Sequence, residues 1–123
     1  MIQIFGTKKC SETRKAERFF RERGVPIQII DVADKPPSVG ELRSVAQAVG
    51  GVFKLFDRDG KRAKEKGLAH ALLGDPDVER KLLEDPLLLR TPLVRNGRAA
   101  TVGEATPEVQ AVWKTFAKNC SKK

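Results

Sequence analysis

The chain opens on a short apolar run, Ile2 to Phe5, broken by Gly6-Thr7-Lys8-Lys9, which predicts a first strand. From Ser11 to Arg23 the apolar Ala16, Phe19 and Phe20 recur at helical spacing among charged residues. Ser11 is a candidate cap and Gly24 stands where a helix C-terminus prefers glycine, so this stretch predicts an amphipathic helix. Pro26 to Val32, with Ile27, Ile29 and Ile30, predicts a second strand. A helix between two strands implies a parallel, right-handed βαβ unit whose ligand site lies at the carboxyl ends of the strands.

The pattern then changes. Pro36-Pro37 breaks the chain, and Ser38 with Glu41 three residues on forms a capping box for a helix running to about Val49, before Gly50-Gly51. Two further helices are expected near Ala63 to Leu73 and Asp77 to Leu83, the second ending near Asp85-Pro86. Leu93-Val94 and Ala99 to Val102 predict a hairpin around Asn96-Gly97, and Thr106-Pro107-Glu108 starts a last helix carrying Val109, Val112, Trp113 and Phe116. The expected fold is α/β: a mixed four-stranded sheet with helices on both sides. A single domain over 1–123 is expected, with its core in about 1–35 and 87–118, a helical insertion over about 36–86 and a polar tail over 119–123.

Composition narrows the role. At 123 residues, 40% hydrophobic and 33% charged, the chain suits one ordinary domain with a real core. No stretch has the roughly 18 consecutive apolar residues of a membrane span, so no membrane association is expected. Two distant cysteines and His70 supply neither a disulfide framework nor a zinc set; no metal and no bound cofactor are expected, and a reducing cytoplasmic setting fits. The net charge of +8 is spread among acids, and no tyrosine is present to stack bases, so nucleic acid is not the expected partner. The same charge suits an anionic substrate such as glutathione or an oxyanion.

Chemistry concentrates at Cys10. It lies between the first strand and the first helix, where free backbone N–H groups and the positive end of the helix dipole converge, and Lys8, Lys9 and Arg14 add positive charge. Both effects favour a thiolate, the nucleophilic form. The hydroxyl of Thr13, in the first helical turn, is placed to hydrogen-bond that thiolate. Arg14 also has a plain reading, a solvated helix residue pairing with Glu17, and His70 receives no role.

Together Gly6-x-Lys8-x-Cys10, Arg14-Lys15-Ala16, Pro36-Pro37, Glu41-Leu42, Gly67-Leu68, Asp85 to Leu89, Pro92-Leu93-Val94 and Val102-Gly103 resemble the ArsC/Spx family, in the same order over nearly the whole chain. The resemblance implies a thioredoxin-like fold with a helical insertion, Cys10 as the redox-active residue, and Pro92 as a cis-proline facing it. Glutaredoxin-coupled arsenate reductases of this family carry a histidine where this chain has Gly6. They carry an arginine where it has Thr91 and another where it has Thr101, and a third falls at Asp57, or at Arg58 after a one-residue shift. Loss of guanidinium forks weakens oxyanion binding, although Arg90, Arg95 and Arg98 lie near in sequence.

Many Spx-like regulators use a C-x-x-C switch, whereas Thr13 occupies the second position here. The pattern is most similar to the YffB-like branch, implying a monothiol centre whose mixed disulfide is resolved by an external thiol. The leading expectation is glutathione-dependent thiol–disulfide reduction. Glutathione is the co-substrate, glutathione or a glutaredoxin-type thiol is the donor partner, and a protein disulfide is a candidate substrate. Glutaredoxin-coupled arsenate reduction and a non-enzymatic Spx-like binding module remain open. The expected site comprises Cys10, Thr13 and Arg14, with Lys8, Ser11, Arg58, Arg90, Thr91 and Pro92 toward substrate. Cys120, among basic residues near the end of the chain, is a candidate resolving thiol or an incidental surface cysteine.

Overall fold

A computed structural model describes residues 2–120, with the side chain of Cys120 outside the described set. Four strands, β1 (Ile2–Gly6), β2 (Ile27–Asp31), β3 (Leu93–Asn96) and β4 (Ala99–Val102), form one sheet in the order β2-β1-β3-β4. The β1–β2 pair is parallel, while β1–β3 and β3–β4 are antiparallel. Helix α1 (Ser11–Glu22) crosses from β1 to β2. Between β2 and β3 come α2 (Val39–Val49), α3 (Lys61–Glu65) and α4 (Asp75–Glu84), with 3-10 turns at Val52–Leu55 and Pro86–Leu88; α5 (Pro107–Cys120) follows β4.

Period-two alternation in β1 divides the core. Ile2 and Ile4 face α1 and α5 and pack with Ala16, Phe19, Phe20, Val94, Trp113 and Phe116. Phe5 faces the other way, into Ile30, Leu42, Val45, Leu55, Leu82, Leu88 and Leu93. Burying each of the Val, Leu, Ile and Phe side chains among these contributes about 1.5–3 kcal/mol. The first layer is also joined through a polar atom, because the Trp113 indole N–H donates to Thr101 Oγ1 at 2.8 Å, both residues being buried.

The predicted capping box at Ser38 is present: Glu41 N–H donates to Ser38 Oγ at 3.1 Å and Ser38 N–H to Glu41 Oε1 at 3.0 Å. Other boundaries differ from expectation for local reasons. Cys10, not Ser11, is the N-cap of α1, and Ser11 is its first helical residue. The helix expected over Ala63 to Leu73 stops at Glu65, because Gly67 turns to φ +70° and the Leu68 N–H closes on the Ala63 carbonyl at 2.8 Å. Helix α4 begins two residues earlier than expected, with Pro76 in its first turn and Asp77 Oδ2 accepting from Gly74 N–H at 3.1 Å. The β3–β4 turn residues are Gly97-Arg98, one position beyond Asn96-Gly97: Asn96 pairs with Ala99, and Gly97 takes φ +63°. Asn119 and Cys120 continue α5 instead of forming a tail; residues 121–123 lie outside the described residues. No helix among the described residues is long and apolar enough to cross a membrane.

Asp85, 8% exposed, fastens the insertion. Its Oδ2 lies 2.8 Å from Arg62 Nε and 2.6 Å from Lys66 Nζ, and Oδ1 accepts from Leu87 N–H at 3.3 Å. Burial alone would push its pKa up, but the hydrogen bonds from Arg62 and Lys66 outweigh it and hold the carboxyl below its usual range. The folded value lies below the unfolded one, so this stabilisation is complete above the unfolded value and is lost as pH falls through the folded one. Asp85→Asn is expected to lower unfolding free energy at neutral pH by roughly 1–3 kcal/mol. Urea denaturation over a pH series should show the difference from wild type shrinking toward acid.

Candidate active site

The site is built where β1 ends. Gly6 leaves the sheet paired with Asp31, its carbonyl accepting from Val32 N–H at 3.0 Å. Residues 7–9 then turn, and Cys10 N–H closes the turn on the Thr7 carbonyl at 3.2 Å. As N-cap, Cys10 accepts the first helical hydrogen bond at its own carbonyl, from Arg14 N–H at 3.3 Å. Its side chain is therefore held at the head of α1, among N–H groups with no helical partner.

The opposite wall comes from the chain entering β3. Phe5 pairs with Leu93, which sets the cis Thr91–Pro92 peptide alongside the end of β1. The Thr91 hydroxyl donates to Cys10 Sγ at 3.2 Å, and the thiol donates weakly to the Thr91 carbonyl at 3.8 Å. Pro92 is buried, and its carbonyl accepts from Gly103 N–H at 3.0 Å.

Burial pushes the Cys10 thiol up, but four donors together outweigh it and bring its pKa below the ordinary value: the hydroxyls of Thr13 and Thr91, then the N–H groups of Thr13 and Glu12. The neutral thiol makes no capping hydrogen bond with those N–H groups, and Thr13 Oγ1 is buried without a hydrogen-bond partner among the described residues. Leaving a buried hydroxyl unmatched costs about 1–3 kcal/mol. A thiolate is a far stronger acceptor than a thiol, so ionisation supplies the partner that this hydroxyl lacks.

The remaining predicted residues divide. Arg14 Nη1 donates to the Lys8 carbonyl at 2.9 Å, bracing the turn before Cys10, and both side chains border an open cleft of about 430 Å³ between the head of α1 and β2. Cys10 is turned from this cleft toward Thr91, while Thr13 borders both. Ser11 is exposed on the first turn of α1. The stem of Arg90 lies across Gly103, close enough that a Cβ there would meet its Cδ at 2.9 Å. The Arg90 guanidinium is exposed beside the Pro92 segment and has no ion pair among the described residues.

Several candidates are committed elsewhere. Arg58 donates to the carbonyls of Ala69 and Ala71, so its fork holds the insertion together. Asp57 sits in the same segment, its N–H on the Leu88 carbonyl at 2.9 Å. Thr101 accepts from Trp113. Arg95 pairs across the sheet with Gln3, two residues farther from the site than Phe5, and donates to Gln3 Oε1 at 3.1 Å; Arg98 occupies the turn beyond. His70 is an exposed turn residue. Cys120 closes α5, about 20 Å along the axis from its start. That start is the end of α5 nearest Cys10, because Ala105 N–H donates to Glu12 Oε1 at 3.0 Å.

Two contributors escaped the sequence reading. Glu12 bonds Ala105 and also pairs with Lys15 at 2.8 Å, pinning the loop before α5 to the head of α1; an acid in a first helical turn otherwise signals only the dipole. The packing role of Gly6 is the other; the sequence marked that residue only as the opening of the Gly6-x-Lys8-x-Cys10 motif and as the place of an absent histidine.

A cysteine between a helix head and a cis-proline, on a β2-β1-β3-β4 sheet flanked by helices, defines a thioredoxin-like fold. The chain belongs to the ArsC family, whose pattern matches residues 5–112. It is 32% identical to the arsenate reductase of Neisseria meningitidis serogroup A over 117 residues, covering 90% of this chain and 97% of that one. It is 26% identical to the global transcriptional regulator Spx 2 of Oceanobacillus iheyensis, over 83% of this chain and 76% of that one. The solved YffB protein shares the fold with a TM-score of 0.79 at 21% identity, covering 91% of this chain and 97% of the other.

Replacing Thr91 by Val removes a donor to the thiolate while keeping a β-branched shape. Iodoacetamide alkylation of Cys10 followed against pH, with Cys120→Ser so that one thiol remains, should move its midpoint upward in Thr91→Val and leave it near wild type in Thr91→Ser.

Proposed function

We propose that this ArsC-family protein is a monothiol oxidoreductase that reduces disulfides at the expense of glutathione, with Cys10 as nucleophile. The observation that carries this reading is the Cys10 sulfur itself. It is flanked by the hydroxyls of Thr91 and Thr13 and by the head of α1, and a threonine stands where a local resolving cysteine would be.

In this mechanism the Cys10 thiolate attacks one sulfur of a substrate disulfide. A Cys10–substrate mixed disulfide forms, the substrate S–S bond breaks, and the second substrate sulfur leaves as a thiolate that takes a proton from solvent. A glutathione thiolate, or a glutaredoxin-type thiol, then attacks the mixed disulfide and returns Cys10 as thiolate. When the substrate is a glutathione mixed disulfide and Cys10 attacks its glutathione sulfur, the products are one free thiol and oxidised glutathione. An external second thiol suits the distant backbone position of Cys120. Thr91 and Pro92 present main chain beside the sulfur for an extended substrate, and Arg90 and Lys8 attract the carboxylates of glutathione. A protein disulfide is the larger substrate of the same chemistry: the first cycle leaves a protein–glutathione mixed disulfide, and a second, using another glutathione, completes the reduction and releases oxidised glutathione.

Arsenate reduction is the second reading, favoured by the likeness to the Neisseria enzyme. Opposing it are the commitment of Arg58 to backbone carbonyls and of Thr101 to Trp113, which leave Lys8, Lys9, Arg14 and Arg90 as the cations in the segments around Cys10. The likeness to Spx 2 favours docking without turnover.

Steady-state reduction of the cysteine–glutathione mixed disulfide, coupled to glutathione reductase, distinguishes the three. Wild type should turn over, Cys10→Ser should fall to background, and Arg90→Ala should raise KM for glutathione about tenfold with a smaller change in kcat. Arsenate with glutathione and glutaredoxin should be the poorer substrate by at least about tenfold in kcat/KM. Arsenate turnover alone would replace this reading with the second; turnover of neither substrate would leave docking.

A further inference from the structure

We infer that Gly6 is a positioning residue for the Cys10 nucleophile: its missing side chain is the space in which Thr13 lies against the end of β1, presenting its hydroxyl beside the sulfur. The inference rests on the reading of Cys10 as nucleophile and adds to it the device that sets its environment.

The need is for space and not for backbone freedom, because Gly6 lies outside the left-handed region that six other glycines of the chain occupy. A Cβ at position 6 would stand 2.3 Å from Thr13 Oγ1, 2.4 Å from Thr13 Cγ2 and 2.9 Å from Thr13 Cβ. Rotating Thr13 offers little relief, since both branches of its Cβ already lie within the forbidden distance and the helix restricts χ1. The strand cannot easily yield either. Gly6 pairs with Asp31, and its carbonyl holds Val32 N–H at 3.0 Å. The part that must move is the first turn of α1, which carries Cys10 at its cap and the N–H groups of Glu12 and Thr13 beside it.

Thr13 supplies the second, independent observation. It is 4% exposed, and its hydroxyl is buried without a hydrogen-bond partner among the described residues. Such a hydroxyl is rarely left unmatched in a folded protein, and the sulfur beside it is the group that becomes a strong acceptor on ionising. Gly6 and Thr13 thus act as one unit, glycine providing the room and threonine the proton donor.

The test uses the full-length chain carrying Cys120→Ser, in Gly6→Ala, Thr13→Val, Thr13→Ala and Gly6→Ala/Thr13→Ala versions. The readouts are the pH profile of Cys10 alkylation and the thermal midpoint. Thr13→Val should slow alkylation about threefold or more at a pH below the wild-type midpoint, since half a pH unit is about a threefold change in thiolate. Gly6→Ala should do the same and also lower the thermal midpoint. In the double variant, removing both clashing branches leaves only the 2.9 Å approach of the two Cβ atoms, so the thermal midpoint should rise from that of Gly6→Ala toward that of Thr13→Ala, and alkylation should approach that of Thr13→Ala.

Gly6→Ala with a wild-type profile and stability would overturn the inference, as would a double variant no more stable than Gly6→Ala. If Gly6→Ala does not fold, rescue by Thr13→Ala remains the deciding measurement. A wild-type Cys10 that titrates as an ordinary thiol would instead remove the nucleophile reading, a result distinct from failure of the glycine variants.

Discussion

With Phe5 opposite Leu93 and Ile4 opposite Val94, the antiparallel register of β1 and β3 sets Thr91 and Pro92 against the head of α1. Both cross-sheet contacts of the Cys10 sulfur, with the Thr91 hydroxyl and the Thr91 carbonyl, depend on that register. A slip of one residue would turn Val94 off the α1–α5 face and Leu93 off the opposite one, so burial on both faces of the sheet enforces the alignment. The core thereby positions the chemistry.

The insertion between β2 and β3 reaches the same place from the other side. Arg90 N–H donates to the Leu55 carbonyl at 2.7 Å, Phe56 bridges Leu89, and Asp57 N–H bonds the Leu88 carbonyl at 2.9 Å. These contacts fix residues 88–90 immediately before Thr91. Asp85 holds Arg62 and Lys66 just upstream, so a buried carboxylate far from the sulfur still bears on how rigidly the wall opposite Cys10 is held. The small α3 and the turns around it act as a brace for the segment leading into the cis peptide.

Charge near the site is sparser than the count of cations suggests. Arg58 and Arg95 spend their donors on neighbouring oxygens, and the buried Thr101 accepts from an indole N–H. Arg14 splits its guanidinium between a backbone carbonyl and the cleft that Lys8 also borders, and Arg90 is exposed beside the Pro92 segment. Flexible cations of this kind do not form the rigid fork geometry that surrounds a tetrahedral oxyanion. The lowering of the Cys10 pKa comes from neutral donors: two hydroxyls and two N–H groups outweigh the burial that would otherwise favour the thiol.

Much of this was legible in the chain itself, because strand and helix periodicity, the Ser38–Glu41 box and the glycine stops are encoded within a few residues. The mixed sheet, the hairpin and the placement of Cys10 at a helix head follow from such local patterns, as does Thr13 in the first turn. The end of α3 at Glu65 was missed because the apolar residues after Gly67 continue a helical spacing that this left-handed glycine interrupts. Partnerships between distant segments had no local signature. Thr91 meets Cys10 across 81 residues and Glu12 meets Ala105 across 93, and whether an arginine faces a substrate or a carbonyl depends on which loop packs under it. The sequence by itself determined that a cysteine would stand between β1 and α1. The tertiary structure decided which groups surround it, because hydrogen-bond geometry and burial exist only once separate segments are packed together.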